Sequence, residues 1–288
     1  MSVIFERVGV VGCGLMGSGI AEVCARSGAD VRVVEANEDA LNLGMVKLEK
    51  SIDRAVKLGK VDERERDLAM ANMTFSTDMG SLADRQFVVE AIVENEAAKV
   101  AVFGALSDIV ENPDAVLASN TSAIPIMKLA MATTRPQQVI GVHFFNPVPV
   151  MSLVEVITSL LTSEQAIATA TEFADSQLGK RVVRSQDRAG FVVNALLIPF
   201  ILSAIRMMES GFASADDIDA GMVLGCNHPM GPLALADLIG LDTTMAVAES
   251  LYEEFKEQLY APPPLLNRMC DAGLLGRKAG RGFYVYDR

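Results

Sequence analysis

The sequence predicts an α/β fold: a parallel-sheet domain over residues 1–186, followed by an all-helical domain over residues 187–288. Three observations predict it. A glycine-rich turn joins an apolar strand to a helix near the start of the chain. Further near-continuous apolar runs follow, separated by helical segments, as in strands buried on both faces. From Gly190 that alternation stops and apolar helical stretches take over. Half of the 288 residues are hydrophobic and 22% are charged, which is a globular composition with room for two ordinary domains.

The same composition excludes several function classes. A net charge of −12, negative in both halves, argues against a nucleic-acid partner. Cys13, Cys24, Cys226 and Cys270 form no C-x-x-C spacing, and two histidines are too few for an ordinary zinc cluster. The expectation is reduced thiols, no metal and a cytoplasmic location. Val8 to Val11 is too short for the apolar region of a secretory leader. The longest apolar stretch, Phe191 to Ile205, is interrupted by Asn194, Pro199 and Ser203. It falls short of the roughly 20 residues that cross a bilayer, so no membrane partner is expected.

The elements follow in order. Val8 to Val11 reads as a strand, and Gly12, Gly14 and Gly17 then stand in G-x-G-x-x-G spacing. A helix follows with Ile20, Val23 and Cys24 on its apolar side, ends at Gly28, and leads to a strand over Val31 to Val34. Each glycine has a task in dinucleotide binding. Gly12 permits the tight turn, Gly14 lets the backbone approach a pyrophosphate, and Gly17 lets the helix pack close. The helix N-terminus, with Leu15 and Met16 in its first turn, offers free N–H groups to phosphate. Glu35 lies about 20 residues past the glycines, where a carboxylate can accept from both ribose hydroxyls. It would repel a 2′-phosphate, and Ala36 and Asn37 supply no arginine, so NAD is favoured over NADP.

Helical character resumes after Asn37. Lys47, Lys50, Arg54 and Lys57 fall within one narrow arc of that helix. The stripe is either a contact for an anionic substrate tail or a solvated face with Glu49 and Asp53 as neighbours. Strands are then read over Phe87 to Glu94, Ala115 to Ser122 and Val139 to Pro147, each apolar and turning polar at its end. Ligands of parallel sheets sit beyond the carboxyl ends of the strands. Glu90, Glu94, Asn120, Ser122, His143 and Asn146 are thereby grouped on the ligand side. Met151 to Thr158 reads as another strand, with Leu153, Glu155 and Ile157 on one face. A carboxylate there needs a partner if buried, and His143 is the natural one. Such a pair fixes the imidazole tautomer and leaves the other nitrogen as a base. The alternative is a core histidine and an unrelated edge glutamate.

In the helical domain, Gly190 to Gly211 reads as a long helix that Pro199 should kink. Asn194, in its first turns, needs a partner if buried, and a substrate could provide one. Ser214 to Asp217 looks like a capped helix start, and Leu235 to Phe255 reads as more helix. His228, in a loop bounded by glycine and proline, is read as structural. The segment from Gly273 reads as a basic, glycine-rich turn and a short aromatic stretch.

Taken together, "GVVGCGLMGSGIA", "VEAIVEN", "ASNTSAIPI", "HFFNPVPVMSLVEVI", "GFVVNALLIPFILSA", "HPMGPLALADLIGLDT" and "GLLGRKAGRGFYVYD" resemble the L-3-hydroxyacyl-CoA dehydrogenases, over essentially the whole chain. The resemblance implies a Rossmann-type, mostly parallel sheet domain, a helical domain that forms a homodimer, and NAD and an acyl-CoA thioester bound between the domains. It implies His143 as general acid/base, oriented by Glu155, and Ser122 on the substrate oxygen. Asn194 would reach the substrate, and Asn146 would support the thioester or the histidine. Glu35 would take the adenosine ribose, with Glu94, Lys99 and Asn120 on the nicotinamide side. Lys47, Lys50, Arg54 and Lys57 fit the coenzyme A phosphates. Two further readings stay open: a dehydrogenase of a non-thioester hydroxyacid or of 3-hydroxyadipyl-CoA, and an NAD-binding protein without turnover.

Overall fold

The structure is a computed structural model and describes residues 5–286. The chain divides into two compact units, one ending at Arg188 and the next starting at Ala189.

The first unit is built on an eight-stranded sheet in the order β3-β2-β1-β4-β5-β6-β7-β8. The strands are β1 (Arg7–Val11), β2 (Asp30–Val34), β3 (Met73–Ser76), β4 (Phe87–Glu90), β5 (Val116–Ser119), β6 (Val139–Phe144), β7 (Leu153–Thr158) and β8 (Arg181–Gln186). The first six pair in parallel, β7 runs antiparallel to β6, and β8 is parallel to β7. Every residue of β4, β5 and β6 is buried, as a sheet covered on both faces requires. Helices α1 (Leu15–Arg26), α2 (Glu38–Lys57), α3 (Glu63–Ala71), α4 (Glu96–Ile109), α5 (Ile126–Ala130) and α6 (Glu164–Glu172) connect the strands. The strand order reverses at β1, whose neighbours are β2 and β4, and this opens a crevice at their carboxyl ends.

Three expected strands are shorter than the sequence pattern predicts. β4 stops at Glu90, β5 at Ser119 and β6 at Phe144; beyond the first two, Glu94 accepts from Thr121 Oγ1 and Asn120 accepts from the Phe144 N–H. β3 and β8 are strands that the apolar pattern does not predict. Both are half-exposed edges whose residues alternate polar and apolar in short runs.

The second unit packs α7 (Val193–Glu209), α8 (Ala215–Cys226), α9 (Pro232–Ile239), α10 (Leu241–Phe255) and α11 (Pro264–Asp271) around Ile198, Ile201, Leu202, Leu233, Val247 and Leu251. α7 begins at Val193 and not at Gly190, because Gly190 and Phe191 take left-handed φ of 74° and 51°. The single helix expected over Leu235 to Phe255 is two, broken at Gly240, whose φ is 103°. The unit is not entirely helical either: Arg281 bridges to Gly276 and to Val285 in a small antiparallel turn. Ser214 caps α8 by accepting from the Asp217 N–H. His228 lies in the loop after α8, edge-on to Phe200 at 5.5 Å between ring centroids.

Candidate functional site

The glycine turn is shaped by what surrounds it. Gly12 adopts a φ of 94°, and a Cβ there would lie 2.7 Å from the Ala91 carbonyl oxygen. A Cβ on Gly17 would lie 1.9 Å from the Gly12 carbonyl oxygen, so only glycine lets α1 start this close to the strand. Gly14 is different, since a Cβ there would meet nothing within 4 Å. The space in front of Gly14 is open, and Gly14 is also the N-cap of α1, with no side chain capping the helix. Leu15 and Met16 form the first turn, and that turn contains no acidic residue. An open approach to uncapped N–H groups at a helix start is the donor set that a pyrophosphate requires.

Glu35, half-buried, follows β2. Its carboxylate accepts from the Cys13 N–H at 2.6 Å and the Ala36 N–H at 2.9 Å. A carboxylate has about four acceptor sites, so two remain for hydroxyl donors such as those of a ribose. The residues present fit a dinucleotide without a 2′-phosphate. Burial, followed by the charge of Glu35, pushes the Cys13 thiol up to about 11, with Lys47 opposing. It is a packed thiol and not a nucleophile.

At the ends of β4 and β5 the side chains form one connected network. Glu90, fully buried, accepts from Lys99 Nζ at 2.5 Å, Ser119 Oγ at 2.6 Å and the Ile92 N–H at 2.8 Å. Lys99 is itself only 1% exposed and pairs also with Glu94 at 3.3 Å. Glu94 in turn accepts from Thr121 Oγ1 at 2.5 Å, from the N–H groups of Ser122 at 2.8 Å and Ala123 at 3.2 Å, and from Ser122 Oγ at 3.3 Å. Lys99 therefore braces two carboxylates, and Glu94 fixes the loop that presents Ser122. Asn120 accepts from the Phe144 N–H at 2.8 Å and so ties the end of β5 to the end of β6.

His143 and Glu155 stand directly opposite each other in the antiparallel β6–β7 pair. The His143 Nδ1 lies 2.8 Å from Glu155 Oε2, with the imidazole side chain 9% exposed and the carboxylate fully buried. A carboxylate at Nδ1 accepts a hydrogen bond from Nδ1–H, which keeps the proton on that nitrogen and leaves Nε2 as the acceptor. The antiparallel turn of β7 creates this pair, because opposite residues of such strands share a face.

Asn146 is exposed in the loop after β6, before a cis peptide to Pro147. Lys180 braces this loop: its ammonium donates to the Val148 and Met151 carbonyls, both at 2.7 Å. Burial lowers the pKa of Lys180. Sequence reasoning missed it because its partners are backbone carbonyls, which leave no trace in side-chain patterns. Lys47, Lys50, Arg54 and Lys57 all lie exposed on α2, and among the described residues none of the four is in an ion pair. Asn194 is half-buried in the first turn of α7, in the second unit. Among the described residues there is no group of three or more His, Cys, Asp or Glu placed to hold a metal ion. No helix among them is long and apolar enough to cross a membrane.

Known proteins resemble this chain in sequence and in fold. Residues 7–188 match the family model of the 3-hydroxyacyl-CoA dehydrogenase NAD binding domain, and residues 190–286 match that of the C-terminal domain. A 3-hydroxybutyryl-CoA dehydrogenase of Mycobacterium tuberculosis is 59% identical over 286 residues, covering 99% of this chain and all of the relative. The crystal structure of FadB2 from M. tuberculosis superposes with a TM-score of 0.97 at 59% identity, covering 98% of this chain and 99% of that one. The (S)-3-hydroxybutyryl-CoA dehydrogenase PaaH1 from Ralstonia eutropha gives 0.93 at 46% identity, over 99% of this chain and 100% of that one. With an NAD-binding unit and a C-terminal unit matched end to end, the chain belongs to the 3-hydroxyacyl-CoA dehydrogenase family.

Proposed function

We propose that this protein oxidises short-chain (S)-3-hydroxyacyl-CoA, 3-hydroxybutyryl-CoA above all, to the 3-oxoacyl-CoA, and catalyses the reverse reduction. The observation that carries the reading is the His143–Glu155 pair at the carboxyl end of β6, in a chain with this family's NAD-binding unit. NAD, when bound, supplies the acceptor for the C3 hydride. The chain's own part is to hold and move a proton. His143 Nε2 takes the proton of the C3 hydroxyl, while Glu155 keeps Nδ1 protonated and stabilises the imidazolium that forms. In the reduction direction the same Nε2–H returns the proton to the C3 oxygen. Ser122 meets that oxygen with its hydroxyl. Glu94 anchors the Ser122 backbone at 2.8 Å and its hydroxyl only at 3.3 Å, so the hydroxyl can turn to the substrate.

Gly12, Gly14, Leu15, Met16 and Gly17 form the pyrophosphate turn, and Glu35 takes the adenosine ribose. Glu94, Lys99 and Asn120 shape the nicotinamide side, Lys99 and Asn120 by bracing. Asn146 supports the thioester side, and Asn194 contributes to substrate binding. The α2 stripe of Lys47, Lys50, Arg54 and Lys57 takes the phosphates of coenzyme A. The protein acts as a homodimer through its helical unit, which exposes Leu196, Phe212 and Leu224 at 72%, 79% and 84%. Light scattering at micromolar concentration should give twice the mass of the 30.8 kDa chain, and a monomer would refute the dimer.

The central test is NADH oxidation with acetoacetyl-CoA. His143→Gln should lose about 10²–10⁴-fold in kcat with NADH affinity retained. Wild-type turnover of acetoacetate in preference to acetoacetyl-CoA would point to a free hydroxyacid as substrate. Absence of any turnover, with NADH bound, would overturn the short-chain thioester assignment.

A further inference from the structure

The proposed reaction leaves the fully buried Glu90 without a part. Glu90 ends β4, next to β1, and collects Lys99, Ser119 and the Ile92 N–H. Lys99 is the counterion of Glu90 and of Glu94 together. Two carboxylates against one ammonium give the cluster a net charge of one negative unit, with Glu90 and Lys99 buried and the Glu94 side chain 38% exposed. The buried Glu90 contributes to that charge from a place where screening by solvent is weaker than at the surface.

The place of this cluster in the sheet gives it a direction. Glu35 lies beyond β2, on one side of the glycine turn, and β4 lies on the other side. The residue after Glu90 is Ala91, whose carbonyl packs against Gly12. A dinucleotide that crosses the glycine turn with its adenosine ribose at Glu35 must run its other half over the ends of β4 and β5. That half carries the nicotinamide, which is cationic in NAD+ and neutral in NADH.

We propose that the Glu90–Lys99–Glu94 cluster discriminates between the two redox forms of the cofactor, its net negative charge binding the cationic ring of NAD+ in preference to the neutral ring of NADH, with Glu90 setting that charge. The proposal rests on the NAD-dependent reading above. It differs from a plain bracing role in what it predicts. Glutamine at position 90 has the same shape: its oxygen can still accept from Lys99 and the Ile92 N–H, its amide can donate to Ser119 Oγ, and the charge is gone. A bracing role would weaken both forms of the cofactor alike, whereas a charge role moves only their ratio.

The test is calorimetric titration of the protein with NAD+ and, separately, NADH, with no acyl-CoA present. Glu90→Gln should raise Kd for NAD+ relative to Kd for NADH by about tenfold, the scale of one unit charge acting across a few side chains at an effective dielectric of about 20. Glu90→Asp keeps the charge and should keep the wild-type ratio. Should E90Q fail to fold, Glu94→Gln removes the same charge from the exposed end of the cluster and is read identically. An unchanged ratio, or equal losses for both forms, overturns the proposal. Wild-type protein that binds neither dinucleotide would remove the cofactor reading itself, and this proposal with it.

Discussion

At the residue scale, the site separates groups that do chemistry from groups that aim them. Glu155 is argued to act through His143, so removing its charge should leave cofactor binding intact and slow proton transfer. Glu155→Gln should lower kcat by about 10²-fold or more, with NADH affinity unchanged. Equal falls in kcat and NADH affinity would mean that Glu155 only holds the sheet together. This pair was legible in the sequence, because a period of two put Glu155 on an apolar face and left one sensible partner. The Glu90–Lys99–Glu94 cluster was not. Glu90 and Glu94 both read as residues at the end of a strand. Only the early stop of β4 makes the first fully buried and leaves the second exposed. Lys99 looked like a group that faces the cofactor, yet at 1% exposure its ammonium spends its bonds on carboxylates.

At the scale of elements, the β1–α1–β2 unit shows how a sequence motif divides its labour. Gly17→Ala should destabilise the fold, by about 1–3 kcal/mol or more, because its Cβ meets the rigid Gly12 carbonyl. Gly14→Ala should leave thermal stability near wild type, since its Cβ meets nothing, but should weaken NADH binding by obstructing the approach. Thermal melts and NADH titration separate the two. A Gly14→Ala protein with normal NADH affinity would refute the pyrophosphate turn. The α1–α2 contact carries a different signature. Glu22 on α1 is fully buried against Ser51 of α2, at 2.6 Å, and burial raises its pKa above the ordinary 4.5. A raised carboxyl pKa means that the folded state holds the proton more tightly than the unfolded one. The stability that this contributes is complete below pH 4.5 and is lost as pH rises through the folded pKa. Glu22→Gln mimics the protonated form, so it should raise Tm at pH 7 and show no gain below pH 4.5. A gain that is constant with pH would assign the effect to packing. The apolar strands at the sheet centre were legible because burial on both faces makes them continuous. β3 and β8 were not, since an edge strand keeps polar residues and loses that signal.

At the scale of the whole molecule, the division into a sheet unit and a helical unit was legible from where the alternation of strands and helices stops. What the α2 stripe does was not, because four exposed cations look the same whether they meet water or a ligand. Charge balance argues for a ligand. The chain carries a net charge of −12 and should repel a substrate bearing the phosphates of coenzyme A. Lys47, Lys50, Arg54 and Lys57 form a local exception on one helix, and among the described residues none of them is in an ion pair. Reversing two of them, Lys50→Glu with Arg54→Glu, should raise KM for acetoacetyl-CoA about tenfold or more at low salt, with a smaller effect on kcat. KM for acetoacetyl-pantetheine, which lacks the nucleotide phosphates, should change little. Salt gives an independent check, since the Debye length is only about 8 Å at physiological ionic strength. Raising ionic strength should increase the wild-type KM for the CoA thioester and bring the two proteins together, while leaving the pantetheine KM flat. Equal changes for both thioesters, or no change for either, would return the stripe to ordinary solvated surface and move the search for the coenzyme A contact to other residues.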